Sequence, residues 1–201
     1  MKNPSKDIPS LPPQLPVPQD DGGCDHLTGM TLPTIELPST AGRTVNLFEV
    51  TQELTVLFFY PRTSKLGEPV PQAWNDIPGA RGCTAQTCAY REHFSSFKAL
   101  GANVFGVSTQ MISDQTELLK RIHLPYELLS DHQLELARKL MLPTFQYNGM
   151  TLIKRLTCVC KKGRIQKVFY PVFPPDRSAE TVLNWLKLAD DVEINPDEGE
   201  S

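Results

Sequence analysis

Apolar runs and segments of helical spacing alternate along the chain, and their order predicts the layout. Leu54-Thr55-Val56-Leu57-Phe58-Phe59-Tyr60 is a continuous apolar run ended by Pro61, the pattern of a strand covered on both faces. Before it, Leu32 to Leu37 and Arg43 to Leu47 flank Thr40-Ala41-Gly42 and predict a short hairpin or two small strands. After it, a helix is predicted from about Thr84 to Leu100, closed by Gly101. Strand Asn103 to Val107, a helix near Ser113 to His123, a short strand Tyr126 to Leu129 and a short helix Leu134 to Met141 follow. Leu152 to Cys160 and Ile165 to Phe169 predict a hairpin around Lys161-Lys162-Gly163, and a last helix runs near Ala179 to Leu188. Strands alternating with helices, then a hairpin and a helix, predict an α/β three-layer domain. No internal repeat is visible.

Composition changes this picture mainly at the ends. The 201 residues are 40% apolar and 21% charged, with a net charge of -3, which argues against a strongly basic nucleic-acid binder. No stretch approaches the roughly 18 apolar residues of a membrane span. The opening Met1 to Asp7 leads into prolines, not an apolar core, so a cytoplasmic globule is expected. Six of the 18 prolines fall in the first 18 residues, so residues 1–30 are expected as a proline-rich, disordered arm. Residues 190–201 carry six acidic and no basic side chains and are expected as a disordered acidic tail. The body between them, 31–189, holds 18 Lys+Arg against 13 Asp+Glu, a net of +5. It is long enough to bury a sizeable core.

The chemistry lies with five cysteines, Cys24, Cys83, Cys88, Cys158 and Cys160. An odd count without a secretory leader argues against a disulfide framework, and no C-x2-C pair supports a zinc ribbon. Gly79-Ala80-Arg81-Gly82-Cys83-Thr84-Ala85-Gln86-Thr87-Cys88 follows the buried strand and opens a helix. A thiol in a first helical turn faces unpaired N–H groups and the positive dipole end, which favours a charged sulfur. Cys83 is therefore the better nucleophile of the pair. On position alone the two thiols read equally well as small buried hydrophobes. Five helical steps place their Cα atoms roughly 8–9 Å apart, beyond the ~7 Å of a disulfide. A bond between them requires the helix start to unwind.

At these residues the sequence resembles the peroxiredoxins, most closely the bacterioferritin-comigratory-protein or Q-type subgroup. The matching pieces are Phe58-Phe59-Tyr60-Pro61, Gly82 to Arg91, Gly106-Val107-Ser108-Thr109, Leu128-Leu129-Ser130-Asp131, Lys154-Arg155-Leu156-Thr157 and Leu183-Asn184-Trp185-Leu186. They fall in order across the body, and it is their joint order that is specific. The resemblance implies a thioredoxin-like fold, a central mixed sheet with helices on both faces. It implies a thiol-dependent peroxidase acting on hydrogen peroxide and organic hydroperoxides, without metal or organic cofactor. By it Cys83 is the peroxidatic cysteine, Cys88 the resolving cysteine, and Arg155 the stabiliser of thiolate and peroxide. Thioredoxin or a similar dithiol is the implied reductant, and a monomer or weak homodimer the expected form. Without the resemblance, Arg155 reads as a surface charge at a strand edge.

One departure stands out. The family pattern Pro-x-x-x-Thr-x-x-Cys has Ala80 in place of its Thr, and extra sequence from Thr63 to Ile77 separates Pro61 from Cys83. Either Pro61 and Thr63 are brought back to the site, or Pro78 and the Gly79–Gly82 backbone rebuild it. A thioredoxin-like sensing or binding module with little turnover is the alternative function. Of the other candidates, Cys158 and Cys160 alternate on a strand and read as core. Cys24 reads as an exposed thiol among acidic residues. His93 lies too far along the helix to serve Cys83 as a base, and His123 and His132 read as helix-end residues.

Overall fold

The structure is a computed structural model that describes residues 11, 12, 14–65 and 67–194. Five strands form one mixed sheet in the order β5-β4-β3-β8-β9. The run from Leu54 becomes its middle strand β3 (Thr55–Phe59), buried at every position. It pairs in parallel with β4 (Asn103–Ser108) and antiparallel with β8 (Leu156–Lys161). β5 (Glu127–Ser130) and β9 (Arg164–Phe169) complete the edges. Alternation along β3 splits its side chains between two cores: Leu57 and Phe59 enter one, and Val56, Phe58 and Tyr60 the other.

The helices cover both faces, as a sheet with two apolar sides requires. Helices α3 (Cys83–Glu92), α4 (Phe94–Ala99), α5 (Ile112–Ile122) and α7 (Ser178–Ile194) bury residues in the core of Phe58 and Tyr60. Helices α1 (Leu47–Val50) and α6 (Glu135–Lys139) close the other, beside the small hairpin β1 (Glu36–Pro38) and β2 (Thr44–Asn46). The short α2 (Gln72–Asn75) lies in the extra sequence and buries Trp74. Trp74 packs on Phe145 and Tyr147 of the hairpin β6 (Thr144–Tyr147) and β7 (Met150–Ile153).

Several boundaries differ from the sequence reading, each for a local reason. The helix expected over 84–100 divides at His93, whose φ of -97° and ψ of 5° leave the helical range. The strand expected over 152–160 is two strands. β7 pairs with β6, Lys154 N–H bonds the Pro143 carbonyl, and Arg155 turns inward before β8 begins. The hairpin tip falls as expected at Lys162 and Gly163, both at positive φ.

In the arm expected over 1–30, Leu11 and Pro18 lie against Gly82 and Gly79, and the chain from Asp21 on is fixed to the body of the domain. Leu27 and Cys24 are buried in the core of Leu57 and Phe59, and Gly29 N–H bonds the Ile165 carbonyl. Asp21 clamps the segment by accepting from Lys154 Nζ at 2.5 Å and from the Tyr170 hydroxyl at 2.7 Å. Cys24 is thus a core thiol and not an exposed one, because Leu27 and Cys24 supply apolar surface that a polar reading of Asp20–His26 overlooks. At the other end α7 continues to Ile194 through the first acidic residues; residues 195–201 lie outside the described residues. Among the described residues no helix is long and apolar enough to cross a membrane.

Burial raises the thiols of Cys24, Cys88, Cys158 and Cys160, and pushes Cys24 and Cys160 from 9.0 to about 12. The folded state therefore keeps these protons over a range where the unfolded chain releases them. Their stabilising contribution is complete below about pH 9 and is lost as pH rises towards about 12. The expected slope is up to about 1.4 kcal/mol per pH unit for each thiol. The buried tyrosines Tyr60, Tyr90 and Tyr126 add to the trend above pH 10. Urea unfolding between pH 8 and 11 should show a steep alkaline loss that is shallower in Cys160→Ala; equal slopes in the two proteins would refute the assignment.

Candidate active site

The catalytic-looking stretch starts where β3 ends. Ser108 Oγ donates to the Pro61 carbonyl at 2.9 Å, and the chain then makes its excursion through α2 before returning at Gly79. Gly82 is the N-cap of α3 at φ 104°, a left-handed value that only glycine adopts at low cost. Space makes the same demand, since a side chain there would run into Pro175. Cys83 is the first helical residue, 4% exposed. Gln86 N–H makes the first turn's bond to the Gly82 carbonyl, which leaves the N–H groups of Cys83 to Ala85 without partners inside the helix.

Arg155 is the finding that sequence reasoning missed in part. Its side chain is 3% exposed, so the strand-edge surface reading does not hold. Nη2 donates to Cys83 Sγ at 3.2 Å and lies at 3.2 Å from each of the Gly79, Ala80 and Arg81 carbonyls. Nη1 donates to Gln86 Oε1. These partners are three carbonyls, an amide and a sulfur, and none is a carboxylate. The guanidinium therefore holds the backbone before the helix and meets the sulfur with uncompensated charge.

Gln86 continues the polar chain inward. Its Nε2 donates to Ser178 Oγ at 3.4 Å, and the Tyr90 hydroxyl lies 3.1 Å from Ser178 Oγ and 3.3 Å from Thr157 Oγ1. Its sequence signal was available: Gln86 stands three residues after Cys83, on the same helix face. Tyr60 lies near the sulfur too, and burial, with a lesser effect of Cys83, holds its hydroxyl well above the usual range. That hydroxyl donates to Gln115 Oε1 at 2.9 Å.

Cys83 opens on a cavity of about 140 Å³. Thr63 lines it and is 5% exposed. Gln110 fixes Thr63 from two sides, accepting from its N–H at 2.8 Å and donating to its carbonyl at 3.1 Å. The Thr63 hydroxyl also donates to Gln110 Oε1 at 3.2 Å. Thus the excursion does return Thr63 to the cysteine's cavity, one of the two routes the missing Thr left open. Trp74 and Val70 form apolar wall, and the cavity's Arg62, Lys65 and Arg121 are paired with Glu68, Asp114 and Glu117.

Cys88 lies deeper in α3 at 2% exposure, and burial is the main cause that raises its thiol. Cys83 and Cys88 are both free and share the core of Phe58 and Tyr60. Cys24, Cys158 and Cys160 lie in the core across the sheet. His93 ends α3, ten residues from Cys83, and takes no part in the site.

Comparison with known proteins matches the chain to one family. The Redoxin family profile covers residues 27–183. Peroxiredoxin Q, chloroplastic, of Gentiana triflora is 31% identical over 162 residues, 80% of this chain and 67% of that protein. Among solved structures, peroxidoxin BcpB from Mycobacterium tuberculosis superposes with a TM-score of 0.67 at 26% identity, covering 81% of this chain and 98% of that one. PrxQ of Xylella fastidiosa shares the fold at a TM-score of 0.67 and 22% identity, over 82% of this chain and 98% of its own. With most of its length inside the Redoxin profile and Q-type sequences aligned across the same span, the chain belongs to the peroxiredoxins of the Q or bacterioferritin-comigratory subgroup, oxidoreductases with thiol-dependent peroxidase activity.

Proposed function

We propose that the protein reduces hydrogen peroxide and organic hydroperoxides at Cys83 and returns through a Cys83–Cys88 disulfide. The observation that carries this reading is the Arg155 guanidinium 3.2 Å from a buried sulfur at a helix start. The Cys83 thiolate attacks the terminal hydroxyl oxygen of the hydroperoxide. An S–O bond forms, the O–O bond breaks, and the leaving hydroxide or alkoxide takes a proton to become water or the alcohol. Cys83 is left as a sulfenic acid, oxidised by two electrons. Arg155 offsets the charge that passes from sulfur to the leaving oxygen. Thr63 is the hydroxyl we assign to orienting the peroxide. Its proton is directed to Gln110, so its oxygen lone pairs are available to accept from the peroxide O–H.

Cys88 then attacks the sulfenic sulfur, an S–S bond forms and water leaves. A disulfide is out of reach while α3 is intact, so its first turn must open. The Gly82 cap supports this, since it offers no side-chain bond to hold the turn. Opening also takes Cys88 out of the apolar surroundings that keep its thiol protonated. Placement of the other three cysteines in the opposite core favours Cys88 as the partner. Thioredoxin or a similar dithiol would restore both thiols by exchange. Every group invoked comes from one chain, so a monomer or weak homodimer suffices. The cytoplasmic location expected from composition belongs to this proposal; the plant relative is described as chloroplastic.

Peroxide consumption coupled to thioredoxin, thioredoxin reductase and NADPH should proceed with the full chain and stop in Cys83→Ser; full turnover by that variant would overturn the reading. Stoichiometric peroxide should remove the mass of two hydrogens and yield a Cys83–Cys88 linked peptide. Linkage of Cys83 to Cys24, Cys158 or Cys160 would rule out Cys88 as the resolver.

Two further substitutions separate the supporting roles. Arg155→Gln is expected to lower kcat/KM about 10²–10³-fold, the scale of one lost charge-stabilising donor. Thr63→Val is expected to lower it about tenfold, the worth of one hydrogen bond. An unchanged rate in Thr63→Val, with the fold intact by circular dichroism, would return the positioning role to the backbone of Gly79–Gly82.

A further inference from the structure

Of the arm before residue 20, Leu11 and Pro18 lie against the loop that leads into α3. Asp21 fixes one end of it on Lys154 and Tyr170. Pro18 follows over Gly79, its Cβ and Cγ 3.4 Å from where a Gly79 side chain would begin. Leu11 reaches Gly82 itself, with Cδ2 3.3 Å from the corresponding point there, and lines the Cys83 cavity. Leu11 is half-buried in this position. Leu11, Val70 and Trp74 are apolar groups that line this cavity together with Cys83 and Thr63.

Hydrogen peroxide has no group to place against them, whereas a hydroperoxide with an apolar organic group does. We propose that Leu11, carried by the N-terminal arm, is a specificity-determining residue that favours hydroperoxides bearing a bulky apolar group. This rests on the peroxidase reading above. The hydroperoxy end meets Thr63 and Cys83, whose sulfur Arg155 holds at 3.2 Å, and the organic end lies against Leu11, Val70 and Trp74. One apolar contact of this kind is worth about tenfold in kcat/KM. The effect falls on the organic substrate alone, because the chemical groups are untouched.

The test compares cumene hydroperoxide with hydrogen peroxide for the full chain, for Leu11→Ala and for Leu11→Met. Leu11→Ala should lose about tenfold in kcat/KM for cumene hydroperoxide, mostly through KM, and stay within about twofold for hydrogen peroxide. Leu11→Met, of similar volume, should restore most of the loss. Equal losses on both substrates would make Leu11 a structural prop of the loop, and a gain on cumene hydroperoxide would make the arm an obstruction; either result overturns the proposal, as does no change. Absence of turnover by the full chain on hydrogen peroxide and on cumene hydroperoxide would instead overturn the peroxidase reading.

Discussion

A buried guanidinium must be given hydrogen bonds, because a charge removed from water costs several kcal/mol unless partners replace it. Arg155 finds them in the carbonyls of Gly79, Ala80 and Arg81, in Gln86 and in Cys83. That requirement organises the site. The backbone before α3 is folded so that its carbonyls face one cation, Gly82 takes the left-handed turn this path needs, and the sulfur arrives in the same shell. Because the described partners include no carboxylate, the sulfur is where negative charge is best placed. A single buried charge thereby joins the break between β7 and β8 to the start of α3.

The sheet divides the thiols into two populations. Strict alternation on β8 sends Cys158 and Cys160 to the face of Leu57 and Phe59, together with Cys24 from the docked arm. Cys83 and Cys88 lie on the other face, behind a continuous layer of backbone. Burial suppresses ionisation of Cys24, Cys158 and Cys160 and keeps them chemically quiet. Proximity on one face, and not the count of cysteines, is what makes two of the five a candidate redox pair.

Much of the architecture was legible because its signals are local. The run Leu54–Tyr60 could only be a strand covered on both faces, and Gly82-Cys83 before a helical segment marked the reactive start. The misreadings came where tertiary contacts override local pattern. Leu152–Cys160 looks like one strand until Arg155 is drawn inward, and Asp20–His26 looks like solvated arm until Leu27 and Cys24 dock. Thr63 carries no distinctive spacing of its own and acquires a role only from the cavity it faces.

The amino-acid sequence alone determined the alternation of elements, the cysteine at the helix start and the family pattern that joins Cys83, Cys88 and Arg155, because periodicity and residue order are written along the chain. Tertiary structure alone decided that Thr63 shares the cavity with Cys83, which thiols lie on one face, and that Arg155 is buried with no carboxylate among its described partners. Those facts depend on contacts across the sheet and between segments far apart along the chain, such as Gly79 and Arg155, 76 residues apart. Spacing along the chain places no limit on what such segments meet.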